Sequence, residues 1–120
     1  MMRTAAVLML LVLAGPACGS SPSAPSGAAT FTITSAGVSP KEARIRAFNF
    51  VTFVNNDTRI HTMVSDPVDL HNQCPELNRI GVINPGETRT SGTLSLATVC
   101  GFHDHASPSD STLQGRIIVQ

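Results

Sequence analysis

Near the C-terminus, Val99-Cys100-Gly101-Phe102-His103-Asp104-His105 places a thiol and two imidazoles within six residues. Thiolate and neutral imidazole are soft and borderline donors, the pair that copper and zinc bind most readily. Residues 97–102 read as a strand, and a strand sends neighbouring side chains to opposite faces. The donors therefore converge only if the chain turns directly after Cys100. Gly101 permits such a turn, and Asp104, Ser107, Pro108, Ser109 and Asp110 continue it as a loop. The pattern predicts a strand end followed by a ligand-bearing loop, which needs a scaffold and at least one donor from elsewhere in the chain.

Composition describes that scaffold. With 120 residues the chain is long enough for one domain and too short for two. Eight Lys+Arg balance eight Asp+Glu, and Lys41 is the sole lysine. No basic footprint exists, which argues against nucleic acid as a partner. Trp and Tyr are absent, five Phe are the only aromatics, and Val, Ile and Thr are abundant, a composition that favours strands.

Alternating or apolar segments over 31–34, 42–46, 50–54, 61–65, 80–83, 88–96, 97–102 and 116–119 are separated by turn signals such as Ser39-Pro40, Asn55-Asn56-Asp57 and Pro85-Gly86. Seven or eight short strands at this spacing predict an all-β sandwich. Residues 66–78, with Pro67, His71, Cys74 and Pro75, lack periodicity and read as a long loop with room for one helical turn. The domain is expected over 30–120.

The N-terminus reads as an address. Arg3 precedes an apolar run from Ala5 to Ala14, too short for the roughly 20 residues of a membrane-spanning helix. Residues 1–17 fit a secretory signal peptide. Leu13-Ala14-Gly15-Pro16-Ala17-Cys18 resembles a bacterial lipoprotein box, which implies lipidation at Cys18. The Ser/Pro/Gly-rich stretch 18–29 is then a flexible tether. An exported protein of the periplasm or outer cell envelope is expected, touching the membrane through its lipid anchor only.

The order of features from residue 30 to 120 resembles the cupredoxin family of blue copper proteins, of the plastocyanin/azurin type. Val54-Asn55-Asn56-Asp57 and His61 match the family's first-histidine segment; Cys100-x-x-His103 matches plastocyanin spacing and Cys100-x4-His105 azurin spacing. The resemblance implies a Greek-key β-sandwich. It also implies a mononuclear Cu(I)/Cu(II) site, with His61, Cys100 and either His103 or His105 as ligands. Such a protein is an electron carrier between envelope partners, a monomer and not an enzyme; the sequence does not name its redox partner. Leu113-Gln114-Gly115 stands where the family often has Met-x-Gly, so Leu113 leaves the axial position without a donor. Phe102 and Leu113 are expected to shield the metal from water.

Two other readings stay open. With Cys18 lipidated, Cys74 and Cys100 are an even pair in an oxidising compartment. A disulfide between them would close a loop of about 26 residues, contribute roughly 3–4 kcal/mol, and remove the thiolate that copper needs. The domain would then be a metal-free, disulfide-stapled interaction module. Alternatively His71-x2-Cys74 and Cys100-x2-His103 supply a Cys₂His₂ set suited to zinc, or the same loop adds His71 and Cys74 to a copper binding or delivery site.

Overall fold

Alternation of β-branched and aromatic residues with polar ones produces nine strands among the described residues. The computed structural model describes Gly15 and residues 27–120. Gly15 aside, the signal peptide expected over 1–17 lies outside the described residues, as do Cys18 and most of the tether. The strands are β1 (Ala29–Thr34), β2 (Gly37–Ser39), β3 (Glu42–Ile45), β4 (Val51–Asn55), β5 (His61–Ser65), β6 (Gly81–Ile83), β7 (Thr88–Thr90), β8 (Val99–Asp104) and β9 (Gly115–Val119). They form two sheets, in the orders β2-β1-β4-β7 and β3-β9-β8-β5-β6. β1 runs parallel to β4 and β3 parallel to β9, while the remaining neighbours are antiparallel.

The sheets meet over three phenylalanines. Phe31 and Phe53 are register partners on β1 and β4 and stack with centroids 4.9 Å apart. Phe102 of β8 meets both edge-on at 5.0 Å, the offset geometry that ring quadrupoles favour. Gly115 makes room for it: a Cβ there would lie 2.5 Å from Phe102 Cζ and 2.8 Å from the Lys41 carbonyl oxygen. Leu113 is buried in this same core.

Three expectations about elements need correction. β2 is an extra strand, folding back on β1 through Gly37, whose φ of 116° only glycine adopts easily. The strand expected over 88–96 stops at Thr90, because at Ser91 the side chain takes over half of the pairing: its N–H still reaches the Val51 carbonyl, but its Oγ accepts the Val51 N–H and donates to the Gly92 carbonyl. The strand expected to end at Phe102 runs on to Asp104. The 66–78 loop does contain helical turn, a 3-10 segment over Pro75–Arg79 with Leu77 buried.

Candidate metal centre

The extension of β8 decides where every candidate ligand goes. Gly101 does not turn the chain; it is paired with Arg116 of β9. Strict alternation then continues, so Cys100, Phe102 and Asp104 face the sandwich interior and His103 faces the opposite side. His103 is nevertheless as buried as Phe102 and Asp104, because the loop that follows β5 folds over the outer face of β8 and sets Asp66 against its ring.

Cys100 is not a thiolate. Its sulfur is bonded to that of Cys74, S–S 2.01 Å and Cα–Cα 5.6 Å. The disulfide reading is the one the chain forms, and both sulfurs are lost as metal ligands. The expected His61, Cys100, His103/His105 copper set therefore does not assemble, and neither does the Cys₂His₂ zinc set. Phe102 and Leu113 belong to the hydrophobic core.

His61 is closed on both sides. Its Nδ1 lies 2.6 Å from Asp104 Oδ2 and its Nε2 lies 2.9 Å from Asp57 Oδ2. All three side chains are buried. A ring that donates to two carboxylates carries a proton on each nitrogen and has no lone pair for a metal. Asp57 also accepts from the Thr58 N–H and Arg59 Nε, and Asp104 accepts from the Thr62 and Ala106 N–H groups. The hydrogen bond from His61 is the largest influence holding the Asp57 carboxyl down, to about 2, against the opposing effect of burial. This cluster ties the turn after β4 to the end of β8.

On the other face of β8 three imidazoles gather. One ligand-capable atom from each of His71, His103 and His105 lies within 4.8 Å of the others. His71 sits with ring centroids 5.2 Å from His103 and 4.9 Å from His105. The rings span a gradient of exposure, His103 buried, His71 half-buried and His105 exposed.

Hydrogen bonds select the free nitrogens. His103 Nδ1 lies 2.6 Å from Asp66 Oδ1. Because a carboxylate only accepts, Nδ1 carries the proton, and in the neutral ring Nε2 carries the lone pair. That Nε2 is the one buried side-chain nitrogen or oxygen without a hydrogen-bond partner among the described residues. Such an atom is costly unless something occupies it. His71 Nδ1 donates to the Ser65 carbonyl at 3.1 Å, which likewise leaves its Nε2 as the donor to a ligand. A carboxylate behind one imidazole and a carbonyl behind another is the support that metal-binding histidines usually have.

Asp66 is the residue that sequence reasoning missed, and Gly101, read as the site of a turn, has a different role. Gly101 matters for space rather than flexibility, since a Cβ there would collide with the Asp66 carboxylate. The loop is fastened at this point by the Asp66 N–H on the Gly101 carbonyl and by Gln73 Oε1 accepting the Gly101 N–H. No sequence signal marks Asp66 as a histidine's partner. Asp104, read as a loop residue, instead ends a strand and is buried.

These two sheets and their order define a cupredoxin-like β-sandwich. Among solved structures the chain is similar to amicyanin from Paracoccus versutus, at TM-score 0.61 and 16% identity over 81% of this chain and 85% of that one. It is similar to reduced auracyanin from Roseiflexus castenholzii, at TM-score 0.59 and 15% identity over 81% and 99%. A methionine-to-alanine variant of amicyanin with Cu(I) aligns at TM-score 0.61 and 13% identity over 81% and 86%. No family model and no curated protein matches the chain. The likeness is one of fold.

Proposed function

We propose that this protein is a metal-binding module of the cell envelope that holds copper at His71, His103 and His105, with zinc as the next-best ion. It stores or hands over the ion and does not pass electrons through a thiolate–copper centre. It transforms no substrate. The observation that carries the reading is His103 Nε2, buried and unpartnered, with its ring fixed from behind by Asp66 and two further imidazoles beside it.

Imidazole suits copper and zinc, and for any such site Cu²⁺ is the strongest divalent binder of the first row. An ion shared by imidazole nitrogens at about 2.0–2.1 Å needs them roughly 3.3 Å from one another. From separations of up to 4.8 Å the ligand atoms must draw together by up to about 1.5 Å, and exposed His105 is free to supply part of that movement. Solved amicyanins hold Cu(I) on a similar sandwich, which supports copper as cargo while leaving the ligands to this chain's own geometry. Export and lipid anchoring at Cys18 fit the disulfide, a bond of oxidising compartments.

Isothermal titration with Cu²⁺ and Zn²⁺ tests the reading, with electron paramagnetic resonance of the copper form. One ion per chain, nitrogen hyperfine structure and no intense thiolate-to-copper band are expected. A strong blue band would restore the electron-carrier reading; no binding by the wild type would end the metal reading altogether.

A further inference from the structure

The disulfide and the three imidazoles belong to the same two segments. β8 and the turn beyond it carry Cys100, His103 and His105, while the loop after β5 carries Asp66, His71 and Cys74. The Cys74–Cys100 bond is thus a covalent clasp between the halves of the metal site. Within the clasped loop His71 has φ 50°, a left-handed conformation that a non-glycine residue keeps only when its surroundings hold it there.

The clasp can be reached. A cavity of about 300 Å³ is lined by both half-cystines together with Gln73, Pro75, Leu94 and Leu96. Both half-cystines are buried, Cys74 slightly less completely than Cys100, so the Cys74 side of the bond is the one nearer solvent. This cavity lies apart from the three imidazoles, none of which lines it.

Resting on the metal-site reading above, we infer that Cys74–Cys100 is a redox clasp that sets the affinity of the site and opens by exchange with a dithiol. One thiolate of the dithiol attacks Cys74 Sγ, the Sγ–Sγ bond breaks, and Cys100 leaves as a thiolate that takes up a proton. The second thiol of the reductant then displaces Cys74 and becomes the reductant's own disulfide. Two electrons and two protons have passed to the protein. The loop keeps its non-covalent fastenings at Gly101 and Ser65, so the fold survives. With the covalent tie three residues away gone, His71 is held in its left-handed conformation only by hydrogen bonds, from its N–H to the Pro67 carbonyl, from its Nδ1 to the Ser65 carbonyl and from Asn78 Nδ2 to its own carbonyl. As the ring moves, the site falls towards two imidazoles. Reduction therefore releases the ion, and oxidation of the pair restores retention.

Zn²⁺ is the probe, because it does not itself exchange electrons with thiols. Its affinity is measured by titration for the oxidised protein, for protein reduced with dithiothreitol and desalted under argon, and for C74S/C100S. Far-UV circular dichroism is recorded for each. The clasp predicts binding at least tenfold weaker in both the reduced protein and the double variant, with the β spectrum kept. The oxidised His71→Ala variant fixes the floor that the reduced protein should approach, and it stands in if C74S/C100S does not fold. Reduced protein that binds Zn²⁺ within threefold of the oxidised form, or more tightly, overturns the clasp while leaving the metal site standing. Oxidised protein that binds no Zn²⁺ overturns the clasp, and it overturns the metal site as well if it also binds no Cu²⁺.

Discussion

His61 and His103 are alike in almost everything that sequence or burial can report. Each is on a non-edge strand of the same sheet, each is almost wholly buried, and each has Nδ1 at 2.6 Å from an aspartate oxygen. They differ at Nε2. In His61 it meets Asp57, whereas in His103 it meets nothing. One ring is a structural cross-link and the other a donor held ready, and a single partner separates the two. A histidine's capacity as a ligand lies in the company of its second nitrogen, and that company is set by strand parity and by which loop covers which face.

Exchanging the losses sharpens this contrast. His61→Ala leaves Asp57 and Asp104 as buried carboxylates facing a void. It should destabilise the domain by about 3–5 kcal/mol, as removing one partner of a buried ion pair does, and leave Zn²⁺ affinity per folded molecule unchanged. Urea denaturation and titration on one preparation check both halves. His103→Ala should do the reverse. Affinity should fall about 100-fold or more, while stability drops by only about 1–2 kcal/mol, since half-exposed Asp66 can turn to water. If His61→Ala weakened the metal as much as His103→Ala, the two clusters would be one site and the contrast would collapse.

A smaller effect is expected behind the ligand. Asp66→Ala removes the acceptor that fixes the His103 tautomer and should weaken Zn²⁺ by roughly 10-fold, the lower end for loss of such support. Asp66→Asn should cost less, because the amide oxygen still accepts from Nδ1. Gly101→Ala should resemble Asp66→Ala, since its methyl displaces the same carboxylate. Equal affinity in all three would mean that Asp66 positions nothing.

The sandwich was legible because it follows from local rules. Alternation in Phe31-Thr32-Ile33-Thr34 and turn signals such as Asn55-Asn56-Asp57 belong to short stretches, and the fold they predicted is the fold formed. The site was legible only as a set of residue types. His71, Cys74, Cys100, His103 and His105 were all marked, but their grouping hung on whether β8 turned at Gly101 or ran two residues past Phe102. Those two residues put His103 on the face opposite Cys100. The competing signals at Cys100 were real, since a thiol after a strand serves a metal or a disulfide equally well. The choice rests on Cys74 arriving from a loop whose path depends on Asp66, Gln73 and Asn78 side chains contacting partners far along the chain. No periodicity encodes such contacts.

The mildest test of the contrast is acid. Asp57 holds its proton off to about 2 in the folded protein, where His61 donates to it, against about 4 for an ordinary aspartate. Between these values the unfolded chain binds a proton that the folded chain refuses. The stability from Asp57 is therefore fully present above about pH 4 and is lost as pH falls towards 2. Glu87, lowered chiefly by the Asn84 N–H, and Asp110, lowered chiefly by the Thr112 hydroxyl, push in the same direction. The wild-type decline is thus shared, and Asp57→Asn isolates one part of it. That variant should melt lower than wild type at pH 5, because the ion pair is gone, yet lose less on going to pH 2, so the two melting curves converge in acid. Parallel profiles would mean that His61 does not hold the Asp57 charge, and the closed cluster would lose the feature that sets it apart from the open one.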